Sequence, residues 1–208
     1  PEAPGKLGKS LIVLDRPNPI RDDRVEGGVL ELPYRSFVGQ YDVAQRYGLT
    51  PGELLRFLVG TGRVTADIKV IPMQGYRRDM WYQETKLPWI NPSPNIRDEE
   101  AALLFAGTVF FEATNLNEGR GTDAPLKQVG APWLTDAAEI ARAMNARNIP
   151  GIRFAPRIVA VKEGDKHGGK TIPMVRLFVA NRDSAQPVEA AVRLMREIRR
   201  RHPAQFSW

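Results

Sequence analysis

The segment Glu112–Thr122 concentrates polar side chains directly after two phenylalanines, and it is the first part of the sequence to suggest a binding site. Its carboxylate, amide, guanidinium and hydroxyl groups suit a hydroxyl-rich or acidic small molecule. Gly119 and Gly121 would let backbone amides approach such a ligand closely. The candidate contacts are Asn115, Glu118, Arg120 and Thr122. Asn, Gly and Asp also favour plain turns, so a loop that only caps its own backbone is an equal alternative.

A second group of polar side chains follows the aliphatic run Leu11–Leu14, which predicts a buried strand. The loop after this run, DRPNP, contributes Asp15, Arg16 and Asn18. Thr108–Phe111 also predicts a buried strand, so each polar loop is expected to leave the carboxyl end of a strand. Ligands of α/β folds gather at such ends.

The segment Lys86–Asn95, KLPWINPSPN, holds three prolines and is too rigid for a helix and too broken for a strand. A fixed loop of this kind suits sugar recognition, because an aromatic face stacks on a pyranose ring and an amide binds its hydroxyls. Trp89 and Asn95 are the candidates for these two contacts. A core position for Trp89 is an equal alternative. Tyr76 and the two arginines after it could add a second ring and a cation.

The elements that must position these groups alternate between helix and strand along the chain. Thr50-Pro51-Gly52-Glu53 has the N-cap, the proline and the capping-box glutamate of a helix start. Further helices are predicted over 98–105, 137–148 and the arginine-rich C-terminal segment, and strands over 66–72, 152–161 and 171–180. This order predicts an α/β fold with a mixed or mostly parallel sheet and flanking helices.

Composition excludes several kinds of site. The chain has 208 residues, 42% of them hydrophobic, which is enough for a real core. No stretch approaches the roughly 20 apolar residues that a membrane-spanning helix needs. Cysteine is absent, and the two histidines, His167 and His202, support neither a metal centre nor a Ser-His-Asp site. We therefore predict no cofactor and no metal.

The net charge of +6 is concentrated near the C-terminus. Five arginines and one glutamate lie between Arg193 and Arg201. Apolar residues at spacings of three and four predict that this segment is an amphipathic helix: Ala191, Leu194, Met195 and Ile198. The arginines form either a solvated helix face, the commoner case, or a contact for an anionic partner. We predict no nucleic-acid partner.

Seven motifs follow one another along the first two thirds of the chain. They are LIVLDRPNPI, VEGGVLE, SFVG, RYGLTPGEL, KLPWINPSPN, FEATNLNEGRGTDAP and VGAPWL. In order and spacing they resemble the NamZ-like exo-β-N-acetylmuramidase family, from about Leu11 to about Trp133 and more thinly beyond. The resemblance implies a bacterial glycoside hydrolase of cell-wall recycling, periplasmic or secreted, that releases N-acetylmuramic acid from the non-reducing ends of peptidoglycan fragments.

The resemblance also implies a domain organisation. Residues 1–47 correspond to the terminal part of a Rossmann-like domain with its connecting loop, and residues 48–208 to a smaller C-terminal α/β domain. Most of the first domain, including the Glu-His-Gly segment that is thought to carry the family's catalytic glutamate, is expected to lie outside this chain. A partner chain or a homo-oligomer could supply the missing part.

Site roles follow from the implied activity. Glycoside hydrolysis generally uses two carboxyl groups, unless the acetamido group of the substrate replaces one of them. Glu118 is the first candidate for a catalytic carboxylate and Glu112 the second. Arg120 and Arg46 suit the lactyl carboxylate of muramic acid, because a guanidinium binds a carboxylate at two points. Candidates for hydroxyl and amide contacts are Asp15, Asn18 and Asn95.

Two short departures from the family pattern leave an alternative open. Arg46-Tyr47-Gly48-Leu49-Thr50 stands where the family has Arg-His-Gly-Met-Thr, and Glu112-Ala113-Thr114 stands where it has Glu-Gly-Thr. A histidine is thereby lost near the implied cleft. The alternative is a non-catalytic sugar-binding or scaffold module that needs the missing domain.

Overall fold

The computed structural model describes residues 2–208, which form two compact units, 2–89 and 90–208. The first unit contains α1 (Glu2–Lys6), β1 (Leu11–Leu14), β2 (Glu26–Val29), β3 (Ala44–Arg46), α2 (Pro51–Gly60) and β4 (Ile68–Ile71). The second contains α3 (Glu99–Thr108), β5 (Gln128–Gly130), α4 (Ala137–Ala146), β6 (Ile152–Ala160), β7 (Thr171–Val179) and α5 (Pro187–Arg201). The predicted division after residue 47 falls inside the first unit, where β1 and β4 pair across it.

A parallel strand pair organises the first unit. β1 and β4 run side by side, with Leu11 opposite Ile68 and Leu14 opposite Ile71. Parallel strands need a crossover, and α2 lies between them in sequence and contacts both. The prediction that β1 is buried was wrong, because Ile12 and Leu14 are 62% and 63% exposed. Within residues 2–208 this sheet consists of β1 and β4 only.

The start of α2 confirms the predicted capping box. Thr50 Oγ1 accepts a hydrogen bond from the Glu53 amide at 3.1 Å, and Glu53 Oε2 accepts one from the Thr50 amide at 3.0 Å. Asp15 completes the cap from outside the helix, because it accepts from the Gly52 amide and from the Thr50 hydroxyl, each at 2.8 Å. The loop after β1 is therefore fastened to the N-terminus of α2.

An antiparallel sheet organises the second unit, in the order β5-β7-β6. β6 and β7 pair from Ile152 opposite Val179 to Ala160 opposite Thr171. α4 packs on both of these strands, and α5 packs on α3 and α4. With the parallel pair of the first unit, these elements confirm the predicted mixed α/β class.

The predicted strand Thr108–Phe111 is wrong. Thr108 ends α3, and residues Val109–Ala113 form a 3-10 helix. The Thr108 hydroxyl donates to the carbonyl of Leu104 at 3.1 Å, one helical turn back, and Phe111 is fully buried. A short buried apolar run has the same pattern in a strand as in a helix, so periodicity cannot distinguish them. The polar loop from Thr114 onward therefore leaves a helical turn.

The contact between α3 and α5 depends on Gly107. A Cβ atom at this position would lie 2.2 Å from the carbonyl oxygen of Pro187 and 2.8 Å from the Ala191 Cβ. We expect Gly107→Ala to lower the free energy of unfolding by about 1–3 kcal/mol, because the two helices must separate. Gly60→Ala is the control, since a Cβ there meets nothing within 4 Å. Denaturant unfolding of both variants checks this, and equal stabilities would contradict it.

Candidate functional site

The two predicted catalytic glutamates share one arginine in the second unit. Arg120 Nη1 donates to Glu118 Oε1 at 2.5 Å, and its Nη2 donates to Glu112 Oε1 at 2.6 Å. The carboxylates differ in access, because the side chain of Glu112 is 39% exposed and that of Glu118 only 4%. Of this pair, Glu112 is the one that an external molecule can reach.

A second cation holds Glu118. Lys166 Nζ lies 3.2 Å from Glu118 Oε2, so both oxygens of this buried carboxylate contact a positive group. Lys166 is absent from the predicted site residues, because 48 positions separate it from Glu118.

The pKa of Arg120 reflects this arrangement. Burial by itself would lower the pKa of the guanidinium, but the hydrogen bonds to Glu112 and Glu118 outweigh burial and raise it. Arg120 is therefore a permanent cation, and both ends of its fork are occupied by protein carboxylates.

The two glycines beside Arg120 shape the loop. Gly119 and Gly121 have φ of 85° and 76°, values that favour glycine. A Cβ on Gly119 would lie 2.6 Å from the carbonyl oxygen of Ala124. The Gly119 amide donates to Asn117 Oδ1 at 2.6 Å. These glycines allow the loop to fold closely on itself.

Two further predicted contacts, Asn115 and Thr122, make hydrogen bonds within the second unit. Asn115 Nδ2 donates to the carbonyl of Gln205 at 2.7 Å, and its Oδ1 accepts from the Ser207 amide at 3.2 Å. The hydroxyl of Thr122 accepts from Gln128 Nε2 at 2.8 Å. Asn115 thus fastens the C-terminal tail to the loop.

The first unit has a pocket of about 450 Å³ at the carboxyl ends of β1 and β4. The parallel register brings Leu14 and Ile71 side by side, so the loops that follow both strands form the pocket walls. The apolar walls include Leu14, Ile71, Met73, Met80 and Leu87. The polar groups include Asp15, Arg16, Gln74, Tyr76, Glu84 and Thr85. Mixed walls of this size are typical of small-molecule sites.

The three residues predicted in the DRPNP loop have different roles. Asp15 faces the pocket, but its oxygens bind the N-terminus of α2. Asn18 stabilises the loop, since Nδ2 donates to the Leu49 carbonyl at 3.3 Å and Oδ1 accepts from the Ile20 amide at 3.1 Å. Arg16 is exposed and lines the pocket. It is therefore the cation best placed to meet an anionic ligand there.

A buried carboxyl group stands behind the pocket wall. Asp22 is 1% exposed and accepts a hydrogen bond from the hydroxyl of Tyr76, which lines the pocket. Burial raises the pKa of Asp22, and the hydrogen bond from Tyr76 partly opposes this rise. Asp22 and Glu84 were not predicted as site residues. An aspartate in a DD pair and a glutamate between Gln83 and Thr85 carry no local signal for a pocket.

Three other predicted residues lie elsewhere. Arg46 is 4% exposed and donates to the carbonyl of Ile20 at 2.5 Å, within the first unit. Trp89 packs edge-on against Tyr82 with ring centroids 5.1 Å apart. Asn95 is half-buried in the second unit, in the loop before α3. The structure thus brings together Glu112, Glu118 and Arg120, and separately Asp15 and Arg16.

Residues 2–208 contain no group of three or more His, Cys, Asp or Glu side chains placed to hold a metal ion. Over the same range, every helix is too short or too polar to cross a membrane.

Comparison with known proteins gives matches along the whole chain. Residues 2–100 match the family described as "Exo-beta-N-acetylmuramidase NamZ, N-terminal", and residues 103–208 match its C-terminal counterpart. The peptidoglycan beta-N-acetylmuramidase NamZ of Bacillus subtilis (strain 168) is 33% identical over 207 residues, which are 100% of this chain and 50% of that protein.

Two solved structures also match most of the chain. One DUF1343 family protein of Bacteroides fragilis matches 97% of this chain and 53% of its own, with a TM-score of 0.91 and 30% identity. A second one matches 86% of this chain and 46% of its own, with a TM-score of 0.63 and 26% identity. The chain thus spans about half the length of these relatives. Because the two NamZ profiles together cover nearly every residue, the chain belongs to the NamZ exo-β-N-acetylmuramidase family.

Proposed function

We propose that this chain binds N-acetylmuramic acid at the ends of peptidoglycan fragments and acts in their hydrolysis, as a glycoside hydrolase of the exo-β-N-acetylmuramidase type. Family membership supports this proposal, as does the identity to a Bacillus subtilis peptidoglycan muramidase. The observation that carries it is the pocket of about 450 Å³ beyond β1 and β4.

The walls of the pocket suit an amphipathic sugar. A pyranose ring has apolar C–H faces, which the leucine and methionine side chains can cover, and hydroxyls at its rim, which Gln74 and Thr85 can bind. N-acetylmuramic acid also carries a lactyl carboxylate, which N-acetylglucosamine lacks. Arg16 is the group that we assign to this carboxylate.

We propose Glu112 and Glu118, which lie in the second unit, as the candidates for catalytic carboxyl groups in this chain, and we propose the pocket of the first unit only as a sugar-binding site. The exposure of Glu112 favours it for direct contact. Glu118 is buried and Arg120 and Lys166 bind both of its oxygens, so its proposed role is to position Arg120 and, through it, Glu112. Arg120 would then hold the two carboxylates in a fixed relation.

A second candidate function is a sugar-binding module without catalysis. The pairing of Glu118 favours it, because Arg120 and Lys166 occupy both oxygens of this buried carboxylate and leave neither free for a substrate. The catalytic acid would then come from sequence outside the 50% of the Bacillus subtilis relative that this chain matches.

The test is calorimetric titration with N-acetylmuramic acid and with N-acetylglucosamine, for the wild type, Arg16→Ala and Arg56→Ala. Loss of one charged hydrogen bond predicts about 10- to 100-fold weaker binding of N-acetylmuramic acid by Arg16→Ala. Binding of N-acetylglucosamine is expected to stay within about twofold, because that sugar has no group for Arg16. Arg56, exposed on α2 and outside the pocket lining, is the control.

Hydrolysis of a chromogenic N-acetylmuramic acid β-glycoside then separates the two candidates. Release of the chromophore by the wild type, abolished in Glu112→Gln, supports the hydrolase. Binding that depends on Arg16 without any release supports the module. If neither sugar binds to the folded wild type, the pocket is not the sugar site and the proposal fails.

A further inference from the structure

The ammonium group of Lys166 lies in a cage of oxygen atoms. Four backbone carbonyls and one carboxylate surround Nζ, and every distance lies between 3.0 and 3.2 Å. The oxygens are those of Phe111, Glu112, Thr114 and Leu116, with Oε2 of Glu118. The 3-10 helix and the loop after it thus direct their carbonyls to a single point.

This cage has more acceptors than a lysine can satisfy. An ammonium group has three N–H donors, whereas five oxygens surround it. Converging carbonyl dipoles repel one another unless a positive charge lies between them, as in the carbonyl rings that replace the hydration shell of K⁺ in channels. The arrangement is therefore that of a monovalent-cation site whose cation is covalently attached.

The turn between β6 and β7, residues 163–170, is bound to the cage by further contacts. Asn117 Nδ2 donates to the carbonyl of Lys166 itself at 2.7 Å. His167 Nε2 lies 2.8 Å from the carbonyl oxygen of Asn115. These contacts leave the backbone of the turn in place if the ammonium is removed. The side chain of Lys166 is 36% exposed, so solvent reaches part of the side chain that fills the cage.

We propose that Lys166 is a tethered cation which fills a built monovalent-cation site, and that this site holds the loop 111–118 in shape. Without the lysine side chain, the same five oxygens bind a free ammonium or potassium ion. The 3.0–3.2 Å spacing fits these two ions better than the smaller sodium ion. The proposal goes beyond the proposed sugar chemistry and is tested without any sugar.

The experiment measures the melting temperature of the wild type, Lys166→Ala, Lys166→Met and Lys162→Ala. Each is melted in the chlorides of sodium, potassium, ammonium and tetramethylammonium at equal ionic strength. Lys166→Ala empties the cage, whereas Lys166→Met fills the space with an uncharged chain of similar length. Lys162, exposed before the same turn, is the matched control.

In sodium chloride, we expect Lys166→Ala and Lys166→Met to melt about 5–10 °C below the wild type, and Lys162→Ala to melt within about 1 °C of it. Ammonium and potassium are expected to restore much of the loss in Lys166→Ala only, because an ion that binds the folded state alone stabilises it. Tetramethylammonium, which is too large and has no N–H donor, should restore nothing.

The proposal would be overturned if the melting temperature of Lys166→Ala were the same in all four salts. It would also be overturned if Lys166→Ala melted at the same temperature as the wild type in sodium chloride. If Lys166→Ala does not fold in sodium chloride, recovery of folded protein on refolding with ammonium supports the proposal. If it folds in neither salt, Lys166→Gln decides. If Lys166→Gln, which is uncharged, melts at the same temperature as the wild type, the cage needs no charge and the proposal fails. A large drop in its melting temperature supports the charged site.

Discussion

Replacing Glu118 with alanine is expected to lower the free energy of unfolding of the second unit by about 3 kcal/mol. The side chain is 4% exposed and pairs with Arg120 and Lys166, so its removal leaves two partly buried cations without their shared anion. Breaking a buried pair costs about 3–5 kcal/mol. We expect the lower end, because Arg120 keeps Glu112 and Lys166 keeps its carbonyls. Denaturant unfolding measures the loss.

Glu112→Ala is the control for this prediction. Glu112 pairs with the same arginine, but its side chain is 39% exposed, and exposed ion pairs contribute about 0–1 kcal/mol. A loss from Glu112→Ala as large as that from Glu118→Ala would show that burial of Glu118 is not what makes the cluster stabilising.

Replacing Glu197 with glutamine is expected to cost about 3 kcal/mol near neutral pH and to remove part of the acid sensitivity of the protein. Three arginines bind this carboxylate, which is 2% exposed. Arg200 lies at 2.7 Å, Arg201 at 2.6 Å and Arg147 at 2.8 Å. The hydrogen bond from Arg200 is the largest cause that lowers the pKa of Glu197 from 4.5 to about 2. By linkage, such a shift corresponds to roughly 3 kcal/mol.

The direction of the pH effect follows from this lowered pKa. The stabilisation is fully present above pH 4.5, where the carboxyl is ionised in both folded and unfolded protein. It is lost as the pH falls from about 4.5 to about 2, because the unfolded state then binds a proton more readily than the folded state.

Unfolding of the wild type, Glu197→Gln and Glu189→Gln between pH 7 and pH 2.5 provides the check for Glu197. The difference between the wild type and Glu197→Gln should shrink steadily below pH 4.5. Glu189 also binds an arginine on α5, but its side chain is 35% exposed, so its replacement should cost under about 1 kcal/mol. A difference that stays constant with pH would contradict the assignment to the ionised carboxylate.

Most helices and strands could be predicted because their signals are local. The start of α2 is set by Thr50, Pro51 and Glu53 alone, and all three act as the sequence indicates. The apolar spacing in α5 likewise predicts its buried face, which includes Leu194 and Ile198. The run before Glu112 gives no such signal, since a buried 3-10 turn and a buried strand have the same apolar pattern.

The site was less predictable, because its contacts join distant parts of the chain. Glu118 and Arg120 are two residues apart, and their pairing lies within reach of local reasoning. Lys166 reaches Glu118 across 48 positions, and Tyr76 reaches Asp22 across 54. Such pairs depend on how the turn of β6-β7 and the loops after β1 and β4 are folded, which no motif in this sequence encodes.

The hydrogen bonds of Asn115 join the loop 114–122 and the segment 205–208 into one structural unit. Asn115 binds the backbone of Gln205 and Ser207, and the next residue, Trp208, is 69% exposed and packs edge-on against Phe206 at 5.3 Å. A substitution that removes the Asn115 side chain is therefore expected to free both the loop and the segment that ends in Trp208.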